Sequence, residues 1–156
     1  KKNISMWQNN IGYVSQDVYL RDTSILENIA FGIPTNEINI NNVLAAIQSA
    51  QLTDKVKSLS KGIHSNIGES GVLLSGGQKQ RIGIARALYH KPDILIFDES
   101  TSSLDSNTEN EFIESIRKLK GKKTILIVAH RLSTLKHCDS IYMIENKKIQ
   151  KSKIDS

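Results

Sequence analysis

A single cysteine, Cys138, rules out an intrachain disulfide, which fits a reducing compartment and excludes the small disulfide-stapled folds. Its expected place is that of a small buried hydrophobe. No apolar run approaches the roughly 20 residues needed to cross a bilayer. The opening KKNISMWQNN has no apolar stretch of the kind a secretion signal needs, so the chain reads as soluble and cytoplasmic in character. Aromatics are scarce at 5%, and none interleave the lysines at 118, 120, 122 and 123 or at 147, 148, 151 and 153. Stacking on bases needs such interleaving, so the net charge of +5 reads as solvated surface and no nucleic acid is expected. Internal repeats, low-complexity tracts and an obvious interdomain linker are also missing. A 38% hydrophobic, 24% charged chain of 156 residues then has the makings of one domain with its own core.

The patterning changes along the chain. Ile11–Val14 is a short apolar strand running into Ser15 and Gln16. From about Leu20 to Leu88 the period is helical: Ser24 with Glu27 forms a capping-box signature, and Val43, Leu44, Ile47 and Ala50 recur at helical spacing. A loop rich in Gly, Ser and Asn, KGIHSNIGESG at 61–71, leads into LLSGGQKQR. The helix that follows turns Ile82, Ala85 and Leu88 inward and stops at His90, Lys91 and Pro92. Then come ILIF at 94–97 and TILIV at 124–128, continuous β-branched runs expected of parallel strands buried on both faces. Between them a helix of about 107–119 carries Phe112, Ile113 and Ile116 on one face, with Ser106 and Glu109 as its capping box. Strand, helix, strand makes a βαβ unit, and SIYMIE at 140–145 adds a further strand.

Several positions could carry chemistry. Ser75, Gly76 and Gly77 open a helix, where free amides and the close approach that glycine allows suit an anion such as phosphate. Asp98 and Glu99 end a buried strand, where ligands bind in open α/β sheets; one acid then suits a metal and the other a water. His130 ends TILIVAH and Gln16 ends the first strand. Alone, each reads as a structural histidine and a surface glutamine. Parallel strands place their carboxyl ends on one edge, however, which brings both towards Asp98 and Glu99.

Taken in order, IGYVSQ, LSGGQ, ILIFDE, SSLD at 102–105 and IVAHR closely resemble the Q-loop, signature, Walker B, D-loop and H-loop of the ATP-binding cassette (ABC) ATPases. NIGESG and DVYLRDTSILENIAFG are similar to the exporter form of that family. The resemblance covers nearly the whole chain. It implies an α/β fold of P-loop NTPase type, a mostly parallel sheet flanked by helices with an α-helical signature subdomain. Residues 1–19 and 91–156 would form the ATPase core and 20–90 the helical subdomain.

The resemblance also implies roles, with ATP and Mg²⁺ as ligands. Gln16 would touch the metal and the attacking water, Asp98 would serve the metal, Glu99 would be the general base, and His130 would contact the γ-phosphate. Ser75, Gly76, Gly77 and Gln78 would bind the γ-phosphate of an ATP held mainly by a second nucleotide-binding domain, with Asp105 communicating across that dimer. Glu69 would sit near the transmembrane domain, placing the chain at the cytoplasmic face of the cell membrane. The chain departs from the pattern at Ser100, at SSLD and at Asn146-Lys147, which puts a lysine where a hairpin turn favours glycine.

A P-loop, G-x-x-x-x-G-K-[ST], is not in this sequence. In the family it lies upstream of the Q-loop, so the expectation is a cassette without its first third, inactive alone. Its P-loop strand, which would neighbour TILIV, is then absent, leaving a gap or an exposed apolar edge. Two other readings stay open: a non-catalytic partner that lends LSGGQ to an intact subunit, and a soluble cassette ATPase acting on DNA or on protein assembly.

Overall fold

The computed structural model describes residues 7, 8, 10–99, 106–129 and 131–152. Three parallel strands, β1 (Ile11–Val14), β2 (Ile94–Asp98) and β3 (Thr124–Val128), form one sheet in that order. Ile11 pairs with Ile94 and Ile94 with Thr124, so all three strands start level and end at one edge. Between β1 and β2 the chain builds helices α1 (Ile25–Ile29), α2 (Ile40–Ser49), α3 (Thr53–Lys57) and α4 (Gly76–Leu88), with short 3-10 turns between α1 and α2 and between α3 and α4. Helix α5 (Ser106–Arg117) connects β2 to β3, and the short α6 (Leu132–Leu135) follows β3. Strands β4 (Ile141–Glu145) and β5 (Lys148–Ser152) pair antiparallel as a separate hairpin.

Local chemistry sets the helix starts. Ser24 caps α1 in a full capping box with Glu27, and the Asn39 side chain caps α2 by accepting from the Asn42 amide. Helix α4 ends beyond Leu88, where Lys91 takes a left-handed φ of 54° ahead of Pro92. In the hairpin turn Asn146 and Lys147 both have positive φ, 47° and 62°, as a two-residue type I′ turn demands. Lysine accepts that conformation and the register stays regular, from Glu145 with Lys148 to Ile141 with Ser152.

The core is continuous. Ile82, Ile84, Ala85 and Leu88 of α4 meet Ile25 and Ile29 of α1, Val43 and Ile47 of α2, and Val14 of β1. On the same side Phe97 of β2 packs edge-on against Phe112 of α5 at 5.5 Å, with Ile113 and Ile116 beside it. Leu44, expected inward, is 47% exposed, because Val43, Ala46, Ile47 and Ala50 form the face that α4 covers and Leu44 stands off that stripe. Cys138 is half-buried rather than buried, and burial pushes its thiol pKa up.

The expectation that ILIF and TILIV are buried on both faces fails. Leu95 and Phe97 are fully buried on the helix-covered side, but Leu126 and Val128 on the other are 55% and 44% exposed. Among the described residues no element covers that side, and β3 is an edge strand. Among the described residues TILIV therefore shows an exposed apolar face.

Two glycines let α4 lie against β1. A Cβ on Gly83 would come within 2.7 Å of Val18 Cγ2, and one on Gly12 within 2.7 Å of both the Ala87 carbonyl oxygen and Leu95 Cδ2. At Gly12 the obstacle includes rigid backbone, so Gly12→Ala should cost about 1–3 kcal/mol in denaturant unfolding. Gly83→Ala should cost less, since only valine methyls must give and alanine favours the helix by up to ~1 kcal/mol.

The α1 cap makes a second prediction. The Glu27 carboxylate accepts from the Ser24 hydroxyl at 2.7 Å and the Ser24 amide at 3.2 Å, which holds its pKa below the ordinary 4.5. A folded pKa below the unfolded one gives stability that is present above 4.5 and is lost as pH falls through the folded value. Ser24→Ala should therefore lower stability by about 1 kcal/mol at neutral pH and by less in acid, measured by urea unfolding on both sides of that pKa.

Candidate functional site

The stretch 75–78 opens the 13-residue α4 as a capping box. Ser75 Oγ accepts from the Gln78 amide at 3.3 Å, and Gln78 Oε1 accepts from the Ser75 amide at 3.1 Å. Each side chain thus satisfies the other residue's backbone amide. The amides of Gly76 and Gly77 remain at the helix start, where unsatisfied N–H groups and the helix dipole together attract an anion. Gly76 is exposed, as is Ser75, while Gly77 is buried.

The second group lies at the carboxyl edge of the sheet. Asp98 ends β2 opposite Val128, and the Glu99 amide extends the ladder by donating to the Val128 carbonyl at 2.9 Å. Glu99 then takes φ 47°, a left-handed conformation that costs a non-glycine residue roughly 1–2 kcal/mol. Strain of this kind persists only where the surroundings impose it, and it collects at functional sites. Val14 pairs with Phe97, so Gln16, two residues on, lies at the same edge as Asp98 and Glu99. Gln16 is exposed.

Sequence reasoning missed two partners at this edge. The Tyr13 hydroxyl donates to Asp98 Oδ2 at 2.7 Å, and that bond raises the phenol's pKa above its ordinary 10.0, keeping it a donor. The signal was available: Tyr13 pairs with Ile96, two residues before Asp98 on one face of adjacent strands, within reach of a long side chain. The buried Gln80 of α4 donates from Nε2 to the Gln16 carbonyl at 2.7 Å. It joins the helix of the first group to the strand end of the second, and nothing in its one-turn spacing from Gly76 announces that.

Other expected positions are apart. Glu69 is exposed in a turn at 69–71 that bends through left-handed φ at Gly68, Ser70 and Gly71, beside the exposed Val72 and Leu73. His130 follows Val128 by two residues but, like Asp105, lies outside the described residues. No cluster of three His, Cys, Asp or Glu side chains forms a metal cage among the described residues. A single half-buried carboxylate at Asp98 suits Mg²⁺ of the kind that takes one or two carboxylates and draws its other ligands from water and phosphate.

The family described as ABC transporter matches residues 1–102. An ATP-dependent lipid A-core flippase of Cupriavidus pinatubonensis is 43% identical over 143 residues, 91% of this chain and 24% of the relative. Another from Francisella novicida is 41% identical over 145 residues, 93% of this chain and 24% of the relative. A solved structure of a bacterial Atm1-family ABC exporter with ATP bound matches with TM-score 0.75 at 36% identity, over 92% of this chain and 25% of that one. The chain spans about a quarter of the length of these relatives. No helix among the described residues is long and apolar enough to cross a membrane.

Proposed function

The chain belongs to the ABC transporter family, and from that premise we propose that it is part of the ATP-binding and hydrolysing unit of an exporter, at the cytoplasmic face of a membrane. The observation that carries this reading is the shared carboxyl edge: Gln16, Asp98 and a left-handed Glu99 at the ends of parallel strands. Asp98 holds Mg²⁺, directly or through water, with Tyr13 fixing one of its oxygens. The ion supplies charge neutralisation at the phosphate oxygens. Glu99 accepts the proton of the attacking water, Gln16 orients that water, and His130 contacts the γ-phosphate. The sequence has no P-loop, so the β- and γ-phosphates need a cradle from outside these residues; without it the 156 residues alone bind ATP weakly and do not hydrolyse it.

The start of α4 serves a different nucleotide. Ser75, Gly76, Gly77 and Gln78 meet the γ-phosphate of an ATP held by a second nucleotide-binding domain, and Asp105 lies at that junction. Glu69, with Val72 and Leu73 exposed beside it, faces the transmembrane domain. A composite site of this kind makes closure of the dimer depend on ATP, which is how binding can drive transport.

Two substitutions in the full-length protein test the two halves. Glu99→Gln should cut turnover by roughly 10²- to 10⁴-fold with ATP binding retained, read from steady-state hydrolysis and nucleotide titration; near-normal turnover would remove Glu99 from the role. Gly77→Asp adds bulk and a negative charge beside a polyanion, so ATP-dependent association of the two domains should be lost while each still binds nucleotide. Light scattering of the cassette completed with its P-loop, with ATP and Mg²⁺, reads that association, and unchanged dimers would contradict the assignment.

A further inference from the structure

Glu109 lies in the first turn of α5, four residues after Asp105, with its side chain only 8% exposed. Its two carboxylate oxygens are both engaged across the fold. Arg131 donates from Nη1 to Oε2 at 2.8 Å, and the buried Thr134 hydroxyl donates to Oε1 at 3.0 Å. Arg131 is the residue after His130, and Thr134 belongs to α6. A helix of four residues does not persist by itself, and Arg131 makes no side-chain cap for it, so tertiary ties hold this segment.

The other end of the connection is packed into the core. Glu109 stands one turn before Phe112, whose ring packs edge-on against Phe97, and Phe97 is the residue before Asp98. The helix that packs Phe112 on Phe97, the residue before Asp98, thus also carries the carboxylate that reaches the residue following His130. A buried carboxylate stripped of its partners is strongly disfavoured, so the segment carrying Arg131 resists moving away from α5.

We propose that Glu109 is a positioning residue for hydrolysis: through Arg131 and Thr134 it fixes the segment that follows β3, on which the γ-phosphate contact proposed for His130 depends. This rests on the reading of His130 given above. Glu109→Gln keeps the shape and the acceptor facing Thr134 but removes the charge facing Arg131. In the full-length protein it should lower kcat roughly tenfold while KM for ATP changes less than about threefold. In a His130→Ala background the same substitution should have almost no further effect, because its target is gone. Backbone amides at 129–135 should also exchange faster with solvent in nucleotide-free Glu109→Gln than in the parent.

An equal loss of kcat in both backgrounds, or no loss in the parent, would overturn the proposal. Unchanged turnover in His130→Ala alone would sink it too, but by removing the role of His130 itself. Should Glu109→Gln fail to fold, Thr134→Val deletes one neutral donor at nearly constant shape. It should give a smaller loss that again vanishes without His130, and a loss that persists there would count against the proposal.

Discussion

Helix α4 touches β1 at a distance that no side chain larger than hydrogen permits at Gly12, where the Ala87 carbonyl and Leu95 occupy the space a Cβ would need. Gly83 repeats the condition from the helix side, against Val18. Because the helix lies this close, Gln80 reaches the carbonyl of Gln16, and the start of α4 is tied to the end of the strand. A shift of the helix by the width of a methyl group would break that bond and leave the buried Gln80 amide without its partner. The two candidate groups of residues are therefore linked by a direct hydrogen bond.

The same contact divides the sheet into unlike faces. Val14, Leu95 and Phe97 lie under α4 and α5, and that side supplies the hydrophobic stabilisation. Tyr13, Leu126 and Val128 lie on the other side, exposed among the described residues. Parallel sheets are ordinarily covered on both sides. A bare side next to an edge strand is therefore an unfinished surface in physical terms, and Tyr13 and Asp98 meet on it.

Function in this reading depends on backbone as much as on side chains. Glu99 carries the chemistry proposed for it from a left-handed conformation just past β2, with its amide bonded to the Val128 carbonyl. Asp98, one residue earlier, keeps regular strand pairing and shares an oxygen with Tyr13. Adjacent carboxylates thus differ in backbone, one on regular strand pairing and one on a left-handed residue just beyond it, which suits a metal ligand beside a proton acceptor.

The helical faces of Phe112, Ile113 and Ile116 and of Ile82, Ala85 and Leu88, the capping box at Ser24, and the parallel run of the strands were all legible from residue spacing, because period and cap chemistry are local. That Gln16, Asp98 and Glu99 share one edge of the sheet followed from that order alone. Leu44 was not legible, since which stripe of α2 faces inward is decided by where α4 sits. Nor was the exposure of Leu126 and Val128: an apolar run states that it needs cover and not whether a neighbour provides it. Glu109 reads locally as half of a capping box, and only the tertiary structure brings Arg131 and Thr134 to its carboxylate, because a long-range ion pair has no period in the sequence. Gly12 and Gly83 likewise look like any other glycine until the helix is laid on the strand and the room for a Cβ disappears.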